Sequence, residues 1–213
     1  MRTGDEDQPV PKQVDHDARR RAIAEAVFEV IGSRGFEAVS LRDVAAQADV
    51  SMGQVQHYFN AKSQLLLFAL SQMRDRVLAR LQADLDRLTD PTAREVIRAG
   101  LRAMMPVDEP GRQEACVNIA FFSAATVNPA YADLLRAGYD RLLTACRAQL
   151  RAAAEAGELA DGVDTDHEAA LLFFSTQGLI GPILIGLLTP EQALDQVDRH
   201  LDRLFREGPT NVL

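Results

Sequence analysis

Apolar residues recur on a helical period along almost the whole chain, and no alternating run long enough for a strand interrupts them. Ile23, Val27, Val30 and Ile31 form the first stripe, predicting a helix over 17–34 with Gly35 just past its end. Ser40 precedes a short helix carrying Leu41, Val44 and Ala45, and Ser51 with Gln54 fits a capping box before another. A long helix is predicted from about 61 to 88, behind Asn60. Asp90-Pro91 and Asn128-Pro129 each set a capping side chain before a first-turn proline, while Thr165 with Glu168 and Thr189 with Gln192 suit further capping boxes. These signals predict helices near 91–105, 112–127, 129–157, 165–187 and 190–206. Breaks are expected at Pro106, Pro110-Gly111, 157–162 and Gly208-Pro209, with a kink or break at Pro182. The fold class is all-α.

Composition removes several alternatives. With 9 prolines, 13 glycines and 47% hydrophobic residues in 213, the chain is neither fibrous nor wholly disordered. Its two cysteines, Cys116 and Cys146, exclude a disulfide scaffold and read as buried apolar residues rather than nucleophiles. Residues 1–16 are acidic, carry Pro9 and Pro11 and lack the apolar core of a signal peptide, so a disordered leader is expected. The apolar stretches 169–174 and 179–188 fall short of the roughly 18 residues of a spanning helix, which predicts a cytoplasmic protein with no membrane partner. The four histidines are scattered, and there is no Cys-x-x-Cys, phosphate loop or nucleophile elbow. No catalytic residue, metal or cofactor is therefore expected, and the chain is read as a non-enzyme.

The informative window is Ser40 to Leu66. Two short capped helices joined by a tight turn at Asp49-Val50 make a helix-turn-helix, with Val44, Ala45, Ala48, Val50 and Val55 facing inward. The second helix then offers Met52, Gln54 and Gln56 to a major groove. A glutamine can pair bidentately with adenine, and a methionine can meet a thymine methyl.

The same residues resemble the TetR family of transcriptional regulators. The resemblance runs through Ser40, Val44-Ala45, Ala48, Val50-Ser51, Gly53, Val55, His57-Tyr58-Phe59, Lys62 and Leu65-Leu66. It implies that residues from Ser51 to Tyr58 form the recognition helix, with Gly53 and His57 in the DNA-facing set. Tyr58 and Lys62 stand where such proteins touch phosphate, and Ser40 and Arg42 are further phosphate candidates. Asp49 replaces the usual glycine of the turn, which calls for an aspartate in the left-handed region. Gln56 replaces a frequent tyrosine.

Net charge, at −8, argues against a nucleic-acid partner until it is divided. Residues 18–66 carry a net +1, while the first 17 carry −3 and the remaining 147 carry −6. Arg19, Arg20 and Arg21 open the first helix, where they serve equally well as backbone contacts or as a solvated basic face.

Four segments are expected: the leader 1–16, a three-helix helix-turn-helix DNA-binding domain over 17–63, a larger helical ligand-binding and dimerisation domain over 64–207, and a tail over 208–213. An effector pocket is expected among Phe68, Met73, Met104, Met105, Asn118, Phe121, Phe122, Tyr131, Phe173, Phe174 and Gln177, each of which also suits plain core. The last two helices read as a dimer face through Leu171, Gly178, Leu179, Pro182, Ile185, Leu194, Val197, Leu201 and Leu204. The functional expectation is a homodimeric repressor that leaves a palindromic operator in double-stranded DNA when a small molecule binds. A helical carrier or enzyme that merely keeps the fold is the competing reading, and it has no use for an intact recognition helix.

Overall fold

The structure, a computed structural model, describes residues 12–206. Among these, nine α-helices and one short 3-10 turn account for the regular structure, with a lone bridge at Leu159 and Phe205 in place of any strand. The chain divides into two compact units after Gln72. That boundary lies beyond the expected 63/64, because the opening turns of a long helix cluster with the first unit. The tail and most of the leader fall outside the described residues.

In the first unit, α1 (Lys12–Arg34) begins inside the segment expected to be disordered. It ends where Gly35, at φ +83, turns the chain into the 3-10 turn Phe36–Ala38. Glycine meets that conformation without the Cβ penalty of other residues. Ile23, Val27, Phe28 and Val30 are buried, so the predicted stripe is the core face. The short helices α2 (Leu41–Gln47) and α3 (Met52–Tyr58) follow, α2 packed on α1 and α3 on α2. Helix α4 (Lys62–Leu85) then runs across the division between the units.

The second unit holds α5 (Ala93–Ala103), α6 (Glu109–Ala125), α7 (Pro129–Glu155), α8 (Thr165–Leu184) and α9 (Pro190–Leu204). Asn128 and the Thr189–Gln192 box cap α7 and α9 as expected. Three boundaries differ. Thr92 with Glu95 caps α5, displacing Asp90, which sits at φ +53. Asp108 caps α6 through the Gly111 N–H at 2.7 Å, so Pro110 lies within the first turn, where a missing donor costs nothing. Asp164, one residue early, caps α8. Helix α8 also continues past Pro182 to Leu184.

The core of this unit gathers Leu101, Met105, Leu150, Leu172, Ile183 and Leu201. Ion pairs bind α9 to α5: Arg98 grips Asp198 through Nε at 2.5 Å and Nη2 at 2.8 Å, and Arg94 reaches Asp202 at 2.5 Å. The hydrogen bonds from Arg98 hold the Asp198 carboxyl below the usual carboxylate range. A carboxylate so depressed stabilises the fold above its unfolded pKa of about 3.9 and loses that contribution as pH falls through the folded value. The melting temperature of the native chain should therefore fall more steeply below about pH 4 than that of Asp198→Asn. Parallel curves would refute the linkage.

Candidate nucleic-acid interface and effector core

The helix-turn-helix is assembled from bonds that span only a few residues. Ser40 accepts the Asp43 N–H at 3.1 Å and donates its hydroxyl to the Asp43 carboxylate, which Arg34 also binds at 3.1 Å. These bonds, the one from Ser40 foremost, hold the Asp43 carboxyl below its ordinary range. The Ser40 hydroxyl thus caps the N-terminus of α2. The turn places Asp49 at φ 51, the left-handed conformation that the sequence called for. Val44, Ala45 and Val55 are buried at the helix crossing, and Ala48 and Val50 are half-buried.

The N-terminus of α3 is closed by a reciprocal cap. Ser51 Oγ accepts the Gln54 N–H at 3.1 Å, and Gln54 Oε1 accepts the Ser51 N–H at 3.1 Å. The Gln54 side chain, expected to read a base, thus also serves as the helix cap through its amide oxygen. Met52, Gly53, Gln56 and His57 are exposed on α3, and Arg42 is exposed on α2. Gln56 is the glutamine left with both amide groups available for reading, since no bond within the chain engages it among those seen in the structure.

Tyr58 is half-buried between two imidazoles, with ring centroids 4.6 Å from His16 and 5.1 Å from His57. Nothing in the acidic leader, which the sequence predicts to be disordered through residue 16, marks His16 as a partner of Tyr58. Lys62 begins α4, its Nζ 5.9 Å from the Phe36 ring centroid. A cation in a first helical turn opposes the helix dipole, a placement that an anion outside would relieve. Of the three early arginines, Arg20 turns inward: its guanidinium lies 4.3 Å from the Phe68 ring centroid and 5.3 Å from that of Phe59. Arg19 and Arg21 remain exposed. Phe68 is therefore a packing residue of the first unit, against Phe59 and Arg20, and not the pocket wall expected of it.

The other pocket candidates separate into three groups. Asn118 on α6, Gln177 on α8 and Met104 after α5 come together: Asn118 Nδ2 donates to Gln177 Oε1 at 3.5 Å, and Gln177 Nε2 to Met104 Sδ at 3.8 Å. Tyr139 on α7, absent from the expected set, donates its hydroxyl to Asn118 Oδ1 at 3.4 Å and packs edge-on against Phe173. Burial raises the Tyr139 phenol above its ordinary pKa. A second group is plain core: Met73, Met105, Phe121, Tyr131 and Phe173 are buried, and Phe121 meets Tyr131 edge-on at 5.4 Å. Phe122 and Phe174, the third, point outward and line no interior space.

Sequence reasoning also missed Glu114, a buried carboxylate one turn before Asn118 on α6. Its oxygens lie 2.5 Å from Arg80 Nη2 and 3.8 Å from Arg76 Nη1, both on α4. Burial pushes the Cys146 thiol up to about 11, which suits an inert apolar residue. Among the described residues no group of His, Cys, Asp and Glu could hold a metal ion, and no helix is long and apolar enough to cross a membrane. A groove of about 520 Å³ opens by the 160–164 loop, lined by residues including His167, Glu168 and His200, and shares only Leu171 and Leu204 with the expected sites.

The dimer-face expectation divides in the same way. Val197, Leu201 and Leu204 are buried in the core of their own chain, and Leu194 packs against that core. Leu179 also packs on this core and Pro182 is half-buried. Leu171, Gly178 and Ile185 stay exposed.

Comparison with known proteins matches both units to one family. Residues 23–68 match the profile of bacterial regulatory proteins of the tetR family, and residues 91–206, more than half of the chain, match that of the BetI-type transcriptional repressor C-terminal region. The HTH-type transcriptional regulator PksA of Bacillus subtilis is 33% identical over 170 residues, 80% of each chain. BetI of Rhizobium meliloti is 32% identical over 120 residues, 54% of this chain and 56% of the relative. Among solved structures, a transcriptional regulator of Rhodococcus aligns with TM-score 0.74 and 30% identity, covering 85% of this chain and 93% of the other. A structure from Saccharomonospora viridis, of a regulator in complex with choline, aligns with TM-score 0.76 and 25% identity over 90% of this chain and all of the other. With a doubly capped recognition helix on one side and a matching helical domain on the other, the chain belongs to the TetR family of bacterial transcriptional regulators and is a ligand-responsive DNA-binding protein.

Proposed function

We propose that the chain is a cytoplasmic repressor that sits as a homodimer on a palindromic operator and is released by a small molecule. The observation that carries this reading is the exposed row Met52, Gln56 and His57 on a helix fixed at its N-terminus by its own side chains. A rigid helix with free polar and apolar ends suits a major groove, and two of them roughly 34–36 Å apart suit successive grooves. Arg42, Tyr58 and Lys62 would position the helix on phosphates, with Gly53 leaving room for close approach, while Ser40, Ser51 and Gln54 hold the frame. The relatives named as repressors favour repression over activation.

The effector would bind where Met104, Asn118, Tyr139 and Gln177 meet. Their mutual bonds are long for neutral hydrogen bonds, so a ligand bearing a polar group can compete for them. The choline complex of the Saccharomonospora protein supports a small polar organic effector. Ligand that prefers a conformation mismatched to the operator lowers DNA affinity, and a coupling of ~1–3 kcal/mol gives a loss of about 5–150-fold.

Selection of binding sites from random duplexes should return one palindrome; failure to enrich any overturns the repressor reading. On the selected site, Gln56→Ala should cost about 1–3 kcal/mol and relax preference at one base position. Lys62→Ala should instead weaken all sequences alike and reduce the salt slope by about 1.

A further inference from the structure

We propose that the chain binds DNA more tightly as pH falls, because His16 and His57, the imidazoles that bracket Tyr58, take up protons beside the phosphate backbone. This rests on the preceding reading only for the place of Tyr58 at a phosphate. It adds His16, a residue outside the helix-turn-helix, to the DNA-facing surface.

Helix α1 starts at Lys12, and that early start carries His16 alongside the end of α3. The His16 ring centroid lies 4.6 Å from that of Tyr58 with the planes at 59°, and 6.1 Å from that of His57 with the planes at 71°. His57 meets Tyr58 edge-on at 5.1 Å. The three rings form one cluster, and it opens to solvent: the His16 side chain is 43% exposed, and His57 is exposed on α3. A phosphate held by the Tyr58 hydroxyl comes within roughly one screening length of both imidazoles, about 8–10 Å at physiological salt.

Imidazole is the side chain whose charge changes between about pH 5 and 8, so charge is what these two rings can add to the contact. Helix α3 holds no other charged group. Among the described side chains, the turn of α1 after His16 and the first turns of α2 and α4 bring Asp17, Arg19, Arg20, Arg42, Asp43 and Lys62. Asp43 is engaged by Ser40 and Arg34, and Arg20 lies over the Phe59 and Phe68 rings. Asp17 Oδ1 is 4.0 Å from His16 Nδ1, but its side chain is 50% exposed, and an exposed pair of that length attracts weakly. A phosphate beside the cluster therefore favours the imidazolium in the complex over the free chain. Proton and DNA then strengthen each other's binding by the same factor, and affinity rises as pH falls through the range where imidazole titrates.

Fluorescence anisotropy of a labelled duplex of mixed sequence, with the full chain at fixed ionic strength, tests this. One imidazolium favoured tenfold in the complex gives about 10-fold higher affinity at about pH 6 than at about pH 8. The salt slope should steepen by about 1 over the same range. His16→Gln combined with His57→Gln should bring the ratio below about 2-fold with far-UV circular dichroism unchanged. His16→Phe separates charge from packing, since it keeps a ring beside Tyr58 and gives up the proton. It should bind better than His16→Ala at about pH 8, yet share the reduced response to pH. His167→Gln, at an exposed position of α8, should respond to pH as the native chain does. A native ratio near one, a ratio that the double variant retains, or a full response from His16→Phe overturns the inference. If Tyr58→Ala weakens binding while the double variant keeps its ratio, this inference falls alone. If Tyr58→Ala binds the duplex as the native chain does, the place of Tyr58 at a phosphate falls with it.

Discussion

Truncating Phe59 to alanine is expected to cost the first unit about 3–5 kcal/mol, the usual range for emptying a buried aromatic site. Phe59 ends α3 and is almost fully buried. Its N–H donates to the Val55 carbonyl at 2.8 Å, and its ring packs on Phe68 with centroids 5.5 Å apart. The loss is larger than area alone suggests, because Arg20 rests on both rings. Its guanidinium gains from those π faces, and its Nε is buried without a hydrogen-bond partner. Removing one ring exposes that unsatisfied donor to a void it cannot use. Hydrogen exchange followed residue by residue should show protection falling in α1 to α3 while the amides of α7 and α8 keep theirs. A loss under 1 kcal/mol, or one spread evenly over the chain, would sink the idea that this aromatic contact anchors the first unit.

Glu114→Ala is expected to cost about 2–4 kcal/mol, somewhat below the range for breaking a fully buried ion pair because Arg76 and Arg80 keep partial access to water. The carboxylate joins α6 to α4, and Arg80 also donates to the Ala103 carbonyl at 2.9 Å at the end of α5. Without the carboxylate, two neighbouring guanidinium groups face each other across a gap. Glu114→Gln keeps the volume and one acceptor, so it should cost less than half as much. Chemical denaturation of the three proteins in parallel decides the matter. Equal losses for Ala and Gln would mean that packing, rather than charge, sets the role of this residue.

Much of the fold could be read directly, because the signals that start helices act over three or four residues. Ser51 with Gln54 and Thr189 with Gln192 carry their own bonding partners in the sequence. Reading failed where two caps compete within a residue or two, as with Asp90 against Thr92 or Thr165 against Asp164, since only three-dimensional packing picks between them. Direction is equally illegible in a stripe. The stripe of Val197, Leu201 and Leu204 correctly marks a buried face of α9, but periodicity does not say whether the chain or a second copy buries it. Gln54 shows the same ambiguity at a single residue: position and chemistry suit a cap and a base contact equally, and the cap is nearer. Glu114 left no local trace at all, because its arginines lie 34 and 38 positions upstream on another helix.

The reciprocal cap on α3 bears on how such a protein can change over evolutionary time. Ser51 and Gln54 hold the helix, whereas Met52 and Gln56 are exposed side chains that the fold does not use. Support and display are thus assigned to different residues of one seven-residue helix. Drift at the displayed positions leaves the frame standing, so lineages can acquire new target sequences through a few surface substitutions without first passing through an unfolded intermediate.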